Sequence, residues 1–117
     1  MAHSEDLPIY KACFDLLNDV ILLTNTFPKS FRYGVGARMV DLCLDMMTLI
    51  YTINGSRDKL PLIVEMSNAH RMLMLLFRVC VQQRVITPAR YSAYALKLDN
   101  IGRQLTGWRQ YAEKGKT

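Results

Sequence analysis

The segment Met72-Leu73-Met74-Leu75-Leu76-Phe77 decides the fold, because it is the longest unbroken apolar run in the chain. It lies in the first of two predicted helices that together occupy Val64–Trp108 and are separated by a break at Val85-Ile86-Thr87-Pro88. Apolar residues surround most of this helix, while arginines recur along one side. One small bundle cannot bury so wide an apolar surface, so the pattern indicates a further burial site at a subunit interface.

The helix with this run is predicted to begin near Pro61. Residues at helical spacing form its core face: Ile63, Met66, His70, Leu73, Phe77, Cys80 and Val81. A second apolar set spreads past that face: Met72, Met74, Leu76 and Val79. The exposed side is predicted to carry Asn68, Arg71, Arg78 and Gln82, with Leu75 in the gap. His70 is interpreted as a core histidine with a hydrogen-bond partner.

The helix after the break is predicted to start with Thr87 as its N-cap and Pro88 at its first position. Its core face holds Tyr91, Tyr94, Ala95, Leu98, Ile101, Gly102, Leu105, Trp108 and Ala112. We expect Leu105 and Trp108 to anchor this helix in the core. Gly102 and Gly107 are expected to allow a close approach to a neighbouring helix.

Two further helices precede the decisive segment. The first is predicted to start at Pro8 with Asp6 as its cap and to end at Phe27-Pro28, since a residue before proline avoids helical backbone. The second has a core stripe of Val35, Met39, Leu42, Cys43, Met46, Leu49, Ile50 and Ile53. Its end is predicted at Asn54-Gly55, with the glycine suited to a left-handed cap.

Gly34 and Gly36 fall near the start of the second helix, where glycine lowers helix stability. Two interpretations remain open. The glycines permit a close approach between helices, or they form a turn that holds a phosphate. A GxG pattern without a preceding strand is weak support for the second.

Four helices with short connections predict an all-α protein, an antiparallel up-down four-helix bundle. We expect the bundle to occupy residues 8–112, between a flexible N-terminus at residues 1–7 and a flexible basic tail at residues 113–117. Strand periodicity, internal repeats and low-complexity segments do not occur in the sequence.

Positive charge is concentrated in the second half of the chain. Residues 1–58 hold five Lys/Arg and seven Asp/Glu, whereas residues 59–117 hold ten and three, a net charge of +7. Such an asymmetry suggests a basic face turned toward an acidic partner such as nucleic acid, although an ordinary solvated surface is the alternative. The basic residues proposed to contact nucleic acid or a partner are Arg71, Arg78, Arg84, Arg90, Lys97, Arg103 and Arg109.

The sequence offers little for catalysis or compartment targeting. It has no paired metal-ligand motif and no neighbouring base for its cysteines, so we expect no enzyme activity, no metal and no cofactor. Cys13, Cys43 and Cys80 are odd in number and lie in apolar segments, which favours buried free thiols in the cytoplasm. The N-terminus is unlike a signal peptide, and no apolar run is long enough for a membrane span.

Two motifs resemble a known protein family. The segment Phe27-Pro28-Lys29-Ser30-Phe31-Arg32-Tyr33-Gly34-Val35-Gly36 is similar to the junction of the first two helices in bacterial four-helix proteins encoded in intervening sequences of ribosomal RNA genes. Ile101-Gly102-Arg103-Gln104-Leu105-Thr106-Gly107-Trp108 resembles the last helix of the same group. The Gly-Trp ending and the basic second half are most similar to the accessory variability determinants of diversity-generating retroelements.

This resemblance implies a homopentameric barrel of four-helix bundles. It also implies a basic surface that contacts the retroelement's reverse transcriptase and its template RNA, to support mutagenic cDNA synthesis without catalysing it. From the basic charge itself, we expect binding of RNA or DNA mainly through phosphates. The alternative is the plain intervening-sequence branch, in which the bundle acts as an oligomeric protein–protein assembly module with no specific nucleic-acid role.

Overall fold

The computed structural model describes residues 3–115 and contains four long helices. They are α1 (Pro8–Thr24), α2 (Ala37–Gly55), α3 (Leu60–Gln82) and α4 (Pro88–Lys114). Successive helices pack side by side and α4 returns to α1, in a body of 48 × 21 × 19 Å. The described part of the chain has no β-strand. The prediction of an all-helical chain with four helices is confirmed.

The core follows the predicted helical stripes. The largest completely buried side chains include Leu16 of α1, Ile50 of α2 and Phe77 of α3. Predicted core residues of α4 are buried at Leu98, Ile101 and Leu105, whereas Trp108 is half-buried and packs against the core from its edge. Buried Met47 was absent from the predicted stripe, because it widens the apolar face of α2 by one position.

The entry into α2 differs from the simple helix start that the sequence suggested. A helical turn at Lys29–Phe31 leads into a π-helical segment, Arg32–Gly36, where the Ala37 N–H donates to the Arg32 carbonyl five residues earlier. A Cβ on buried Gly36 would lie 3.2 Å from the Thr24 Cβ, which confirms the close-approach interpretation there. Gly34 has open space beside it.

The start of α1 corrects one sequence prediction. Leu7, rather than Asp6, is the N-cap residue, and its side chain makes no capping hydrogen bond. Pro8 occupies the first turn as predicted. Ser4–Asp6 forms one 3-10 turn, in which buried Ser4 accepts a 3.2 Å hydrogen bond from the Asn54 side chain.

The end of α2 differs from the predicted left-handed glycine cap. Gly55 is helical and has no left-handed backbone. A lysine closes this helix instead: the Lys59 ammonium donates to the carbonyls of Ile53 and Ser56, both at 2.7 Å, and to that of Asn54 at 3.4 Å. Cations stabilise the free carbonyls at a helix C-terminus, so this side chain takes over the role predicted for the glycine.

The left-handed residue lies at the end of α3. Arg84 has φ of 61°, and among the described non-glycine residues it alone has a positive φ. The Val85 N–H donates to the Cys80 carbonyl at 2.8 Å, and the Arg84 N–H donates to the Val81 carbonyl at 3.0 Å. These two bonds form a Schellman motif in which an arginine stands where glycine is usual.

Helix α4 starts as predicted. The Thr87 side chain accepts the Arg90 N–H at 3.2 Å, and Pro88 occupies the first turn. The expectation for Gly107 is wrong, because a Cβ there would meet nothing within 4 Å.

The three cysteines are free and buried, as predicted. Burial raises the pKa of Cys13 and of Cys43 to about 12 and that of Cys80 to about 11. The Cys80 thiol lies 3.8 Å from the Met39 sulfur inside the core. These thiols are therefore unreactive in the folded chain.

Within residues 3–115, no helix combines the length and the apolar character needed to cross a bilayer. The ends of the two terminal segments that were expected to be flexible, residues 1–2 and 116–117, lie outside the described residues.

Candidate nucleic-acid interface

The seven basic residues proposed from the sequence lie on α3, on α4 and in the turn between them. The structure divides them into three groups. Arg71, Arg103 and Arg109 line one groove. Arg78, Arg84 and Arg90 lie toward the α3–α4 turn, and Lys97 faces α1. One common site for all seven is therefore not formed within the described chain.

The groove between α3 and α4 is shallow and has a volume of about 390 Å³. Its floor includes His70, whose Nε2–H donates to the Leu98 carbonyl at 2.7 Å, and Gly102. A Cβ on Gly102 would lie 3.1 Å from the His70 ring, so the glycine makes room for the imidazole. His70 is buried, and its interpretation as a core histidine with a partner is confirmed.

Acidic residues accompany two of the three groove arginines. Arg103 pairs with Asp99 at 3.4 Å, and Arg109 pairs with Glu113 at 3.2 Å, each one turn along α4. Such exposed pairs contribute little to stability, but they orient the guanidinium groups and offset part of their charge. The Arg71 side chain has no hydrogen bond or ion pair with any of residues 3–115.

Lys97 connects two helices. Its ammonium donates to Asp15 at 2.8 Å and also to Asp19, both on α1. The hydrogen bond to Asp15, followed by the one to Asp19, raises the pKa of Lys97 to about 12. Two carboxylates therefore compensate this charge, which separates Lys97 from Arg71, Arg78 and Arg84.

The exposed stripe of α3 keeps the predicted arrangement. Arg71 and Arg78 are both exposed, and seven residues of helix place them about 10 Å apart on one side. Leu75 lies between them and is 47% exposed, and Met72 beside them is 42% exposed. The side chains of Arg78 and Arg84 also make no hydrogen bond or ion pair with residues 3–115. The Arg90 guanidinium donates to the Tyr94 hydroxyl at 3.4 Å.

Three basic residues near the start of α2 were not proposed from the sequence: Lys29, Arg32 and Arg38. Lys29 and Arg38 are exposed. Arg32 is half-buried and donates to the Phe27 carbonyl at 3.4 Å, while its Nε–H is buried and lacks a partner among the described residues. The sequence could have identified them, because residues 20–40 contain no Asp or Glu. The net negative charge of residues 1–58 as a whole hides this local basic stretch.

The described residues contain no group of three or more His, Cys, Asp or Glu side chains that could hold a metal ion. What the site offers is arginine, whose planar donor fork matches phosphate and carboxylate oxygens.

A family model described as bAvd-like matches residues 8–112. The chain belongs to the bAvd-like family. This match confirms the resemblance to accessory variability determinants that the two motifs had suggested. The bAvd-like family is an accessory, non-catalytic family associated with the reverse transcriptases of diversity-generating retroelements. No curated protein matches the chain.

Proposed function

We propose that this bAvd-like chain is a non-catalytic accessory protein that binds a retroelement reverse transcriptase and its template RNA in the cytoplasm, and thereby supports mutagenic cDNA synthesis. The exposed arginines of α3 and α4 bind mainly to phosphates of RNA or DNA. In this role the protein positions the nucleic acid and leaves the chemistry to the polymerase.

The observation that carries this proposal is the pair Arg71 and Arg78. Both are exposed on one side of α3, and neither has a partner among residues 3–115. A guanidinium without an internal partner keeps all its donors for an external anion. The match to a family associated with reverse transcriptases supports the polymerase as the proposed partner.

We propose further that the protein is a homo-oligomer, a pentamer as the family resemblance implies. Met72 and Leu75 support this part, because they place exposed apolar surface beside the arginines of α3. Symmetric copies of the Arg71–Arg78 pair would then form a ring of positive charge.

A bundle that serves only protein–protein assembly is the second candidate. Exposed apolar side chains on α1, namely Phe14, Ile21 and Leu22, favour it. In that case the basic stripe is an ordinary solvated surface, and the oligomer forms without nucleic acid.

The test is a salt titration of RNA binding with the double variant Arg71→Ala/Arg78→Ala on two unrelated RNAs. Phosphate contacts release counterions, so we expect the logarithmic salt slope to fall by about 0.7–0.9 per lost contact, equally for both RNAs. The matched control is Lys11→Ala/Arg57→Ala, which removes the same charge from exposed positions elsewhere. Thermal melts check folding, because arginine stems cover apolar surface.

Pull-down of the reverse transcriptase and light scattering complete the test. Binding that is absent or independent of salt, together with no retained polymerase, would favour the assembly module. A stable monomer at micromolar concentration would contradict the oligomer.

A further inference from the structure

The first observation concerns where acidic residues are missing. Residues 20–40 and residues 66–98 contain no Asp or Glu. These stretches are distant in sequence, but the up-down topology brings them to the same end of the bundle. The Cys80 and Met39 sulfurs are 3.8 Å apart, and the Phe77 and Tyr94 rings are 5.2 Å apart, which sets the three helices in register there.

We define the turn end as residues 25–36 and 83–90. From the contact of Met39 with Cys80, Tyr33 lies six residues farther toward this end along one helix and Arg84 four residues farther along the other, so both belong to it. Its basic residues are Lys29, Arg32, Arg84 and Arg90, with no carboxylate side chain within the two ranges. At the opposite end, by contrast, basic residues are mixed with Glu5, Asp6, Asp58 and Glu113. Positive charge is therefore concentrated at the turn end, although Arg90 shares a recess with Asp19 of α1.

The second observation is the backbone at Arg84. An L-residue with φ of 61° is strained, and glycine relieves this strain at helix ends of this kind. The side chain at this strained position is exposed and has no partner among residues 3–115. The helix end needs this left-handed backbone but not an arginine, so the presence of arginine instead of glycine points to a function for the side chain.

The third observation is Tyr33, which is 69% exposed within the π-helical segment Arg32–Gly36. It follows Arg32 and precedes Gly34, whose missing side chain leaves open space next to it. Exposed aromatic rings among basic residues provide a stacking surface for an unpaired base, whereas the bases of a duplex are already stacked on each other.

From these observations we propose that the turn end is a second nucleic-acid site, and that its ligand is a single strand. One base stacks on Tyr33, while neighbouring phosphates bind Arg84 and Lys29. This site lies outside the Arg71–Arg78 pair, so it goes beyond the surface used in the proposed function.

The test measures fluorescence anisotropy of a labelled single-stranded oligonucleotide and of a hairpin duplex of the same composition. Tyr33→Ala should weaken binding of the single strand about tenfold and leave duplex binding unchanged. Tyr33→Phe should restore single-strand binding, because the ring is sufficient for stacking. Arg84→Gly should lower the salt slope for the single strand by about 0.7 without loss of folding.

The opposite end provides matched controls, since it has an exposed tyrosine and an exposed arginine close together. Tyr111 is 73% exposed and lines a recess with Arg57. Tyr111→Ala and Arg57→Gly should leave single-strand affinity and salt slope unchanged.

Three results would overturn the inference: unchanged single-strand binding by Tyr33→Ala, equal losses for single strand and duplex, or loss of polymerase capture alone. The first two leave the proposed function standing if Arg71→Ala/Arg78→Ala still weakens RNA binding. Conversely, Tyr33→Ala could weaken single-strand binding while Arg71→Ala/Arg78→Ala leaves RNA binding unchanged. That result would support the nucleic-acid site at the turn end and contradict the proposed contact at α3.

Discussion

Two chain reversals at opposite ends of the bundle use basic residues in opposite ways. Between α2 and α3, the Lys59 ammonium donates to three carbonyls and closes the preceding helix. Between α3 and α4, backbone hydrogen bonds close the helix, and the exposed Arg84 side chain makes no hydrogen bond or ion pair with residues 3–115. The Lys59 ammonium therefore stabilises the fold. The Arg84 guanidinium is held in place by the fold but forms none of its hydrogen bonds.

Because one cation is bound within the chain and the other is not, net charge alone does not identify a binding surface. Lys59 and Lys97 both count toward the positive balance of the second half of the chain, yet carbonyls or carboxylates of the same chain bind both. The arginines without internal partners are the ones that remain for an external anion. Stability measurements on single variants separate these two classes.

The largest effect is expected at Lys59. Lys59→Met keeps a similar side-chain volume but removes the charged donor, so the Ser56 carbonyl loses this bond and the Ile53 carbonyl keeps only the Ser56 N–H. Hydrogen bonds from a charged donor contribute more than neutral ones, so we expect a loss of roughly 2–3 kcal/mol in the free energy of unfolding. Urea denaturation measures it, with the exposed Lys11→Met as control. If Lys59→Met and Lys11→Met were equally stable, the Lys59 ammonium would not stabilise the α2–α3 reversal.

A smaller effect of opposite sign is expected at the other reversal. Arg84→Gly relieves the left-handed strain and keeps both Schellman hydrogen bonds, so we expect a gain of about 0.5–1 kcal/mol. Arg57→Gly is the control, because Arg57 has no positive φ and glycine there only adds freedom to the unfolded chain. Differential scanning calorimetry compares the two melting temperatures. A destabilised Arg84→Gly protein would show that the arginine side chain supports the fold after all.

The smallest effect is expected at Lys97, midway between the reversals. Its contacts with Asp15 and Asp19 are partly exposed, so Lys97→Met should lower stability by only about 0.5–1 kcal/mol at pH 8. The pKa of Lys97 is raised from 10.5 to about 12, so this contribution is complete below pH 10.5 and is lost as the pH rises through 12. Denaturation of both proteins at a series of alkaline pH values measures the difference. A gap that persists above pH 12 would mean that packing, not charge, makes this contribution.

Helix positions and the core could be predicted because apolar spacing determines them. Leu16, Ile50 and Phe77 lie where helical periodicity places them. The conformation of single residues at helix ends could not be predicted from the sequence, because it depends on contacts with distant residues. Gly55 has the residue type of a left-handed cap, but Lys59 satisfies those carbonyls from the next connection. Arg84 has a residue type that disfavours its backbone, yet the buried Ile86 beyond it requires the reversal.

The candidate site was predicted less completely, since sequence shows which residues are charged but not which are already paired. Nothing near Lys97 in the chain reveals its partners, because Asp15 and Asp19 lie about eighty positions earlier. Lys29 and Arg32 were overlooked because the half of the chain that contains them is acidic on balance. Only the topology shows that they share an end with Arg84.

The inert thiols make the folded protein simple to label. Since Cys13, Cys43 and Cys80 are buried and their pKa values are raised to about 11–12, maleimide reagents have no native target at neutral pH. An exposed cysteine introduced by Ser30→Cys or by Arg57→Cys would then be the sole reactive position, without removal of any natural cysteine. A fluorophore at each end in turn would report directly which end of the bundle a bound strand approaches.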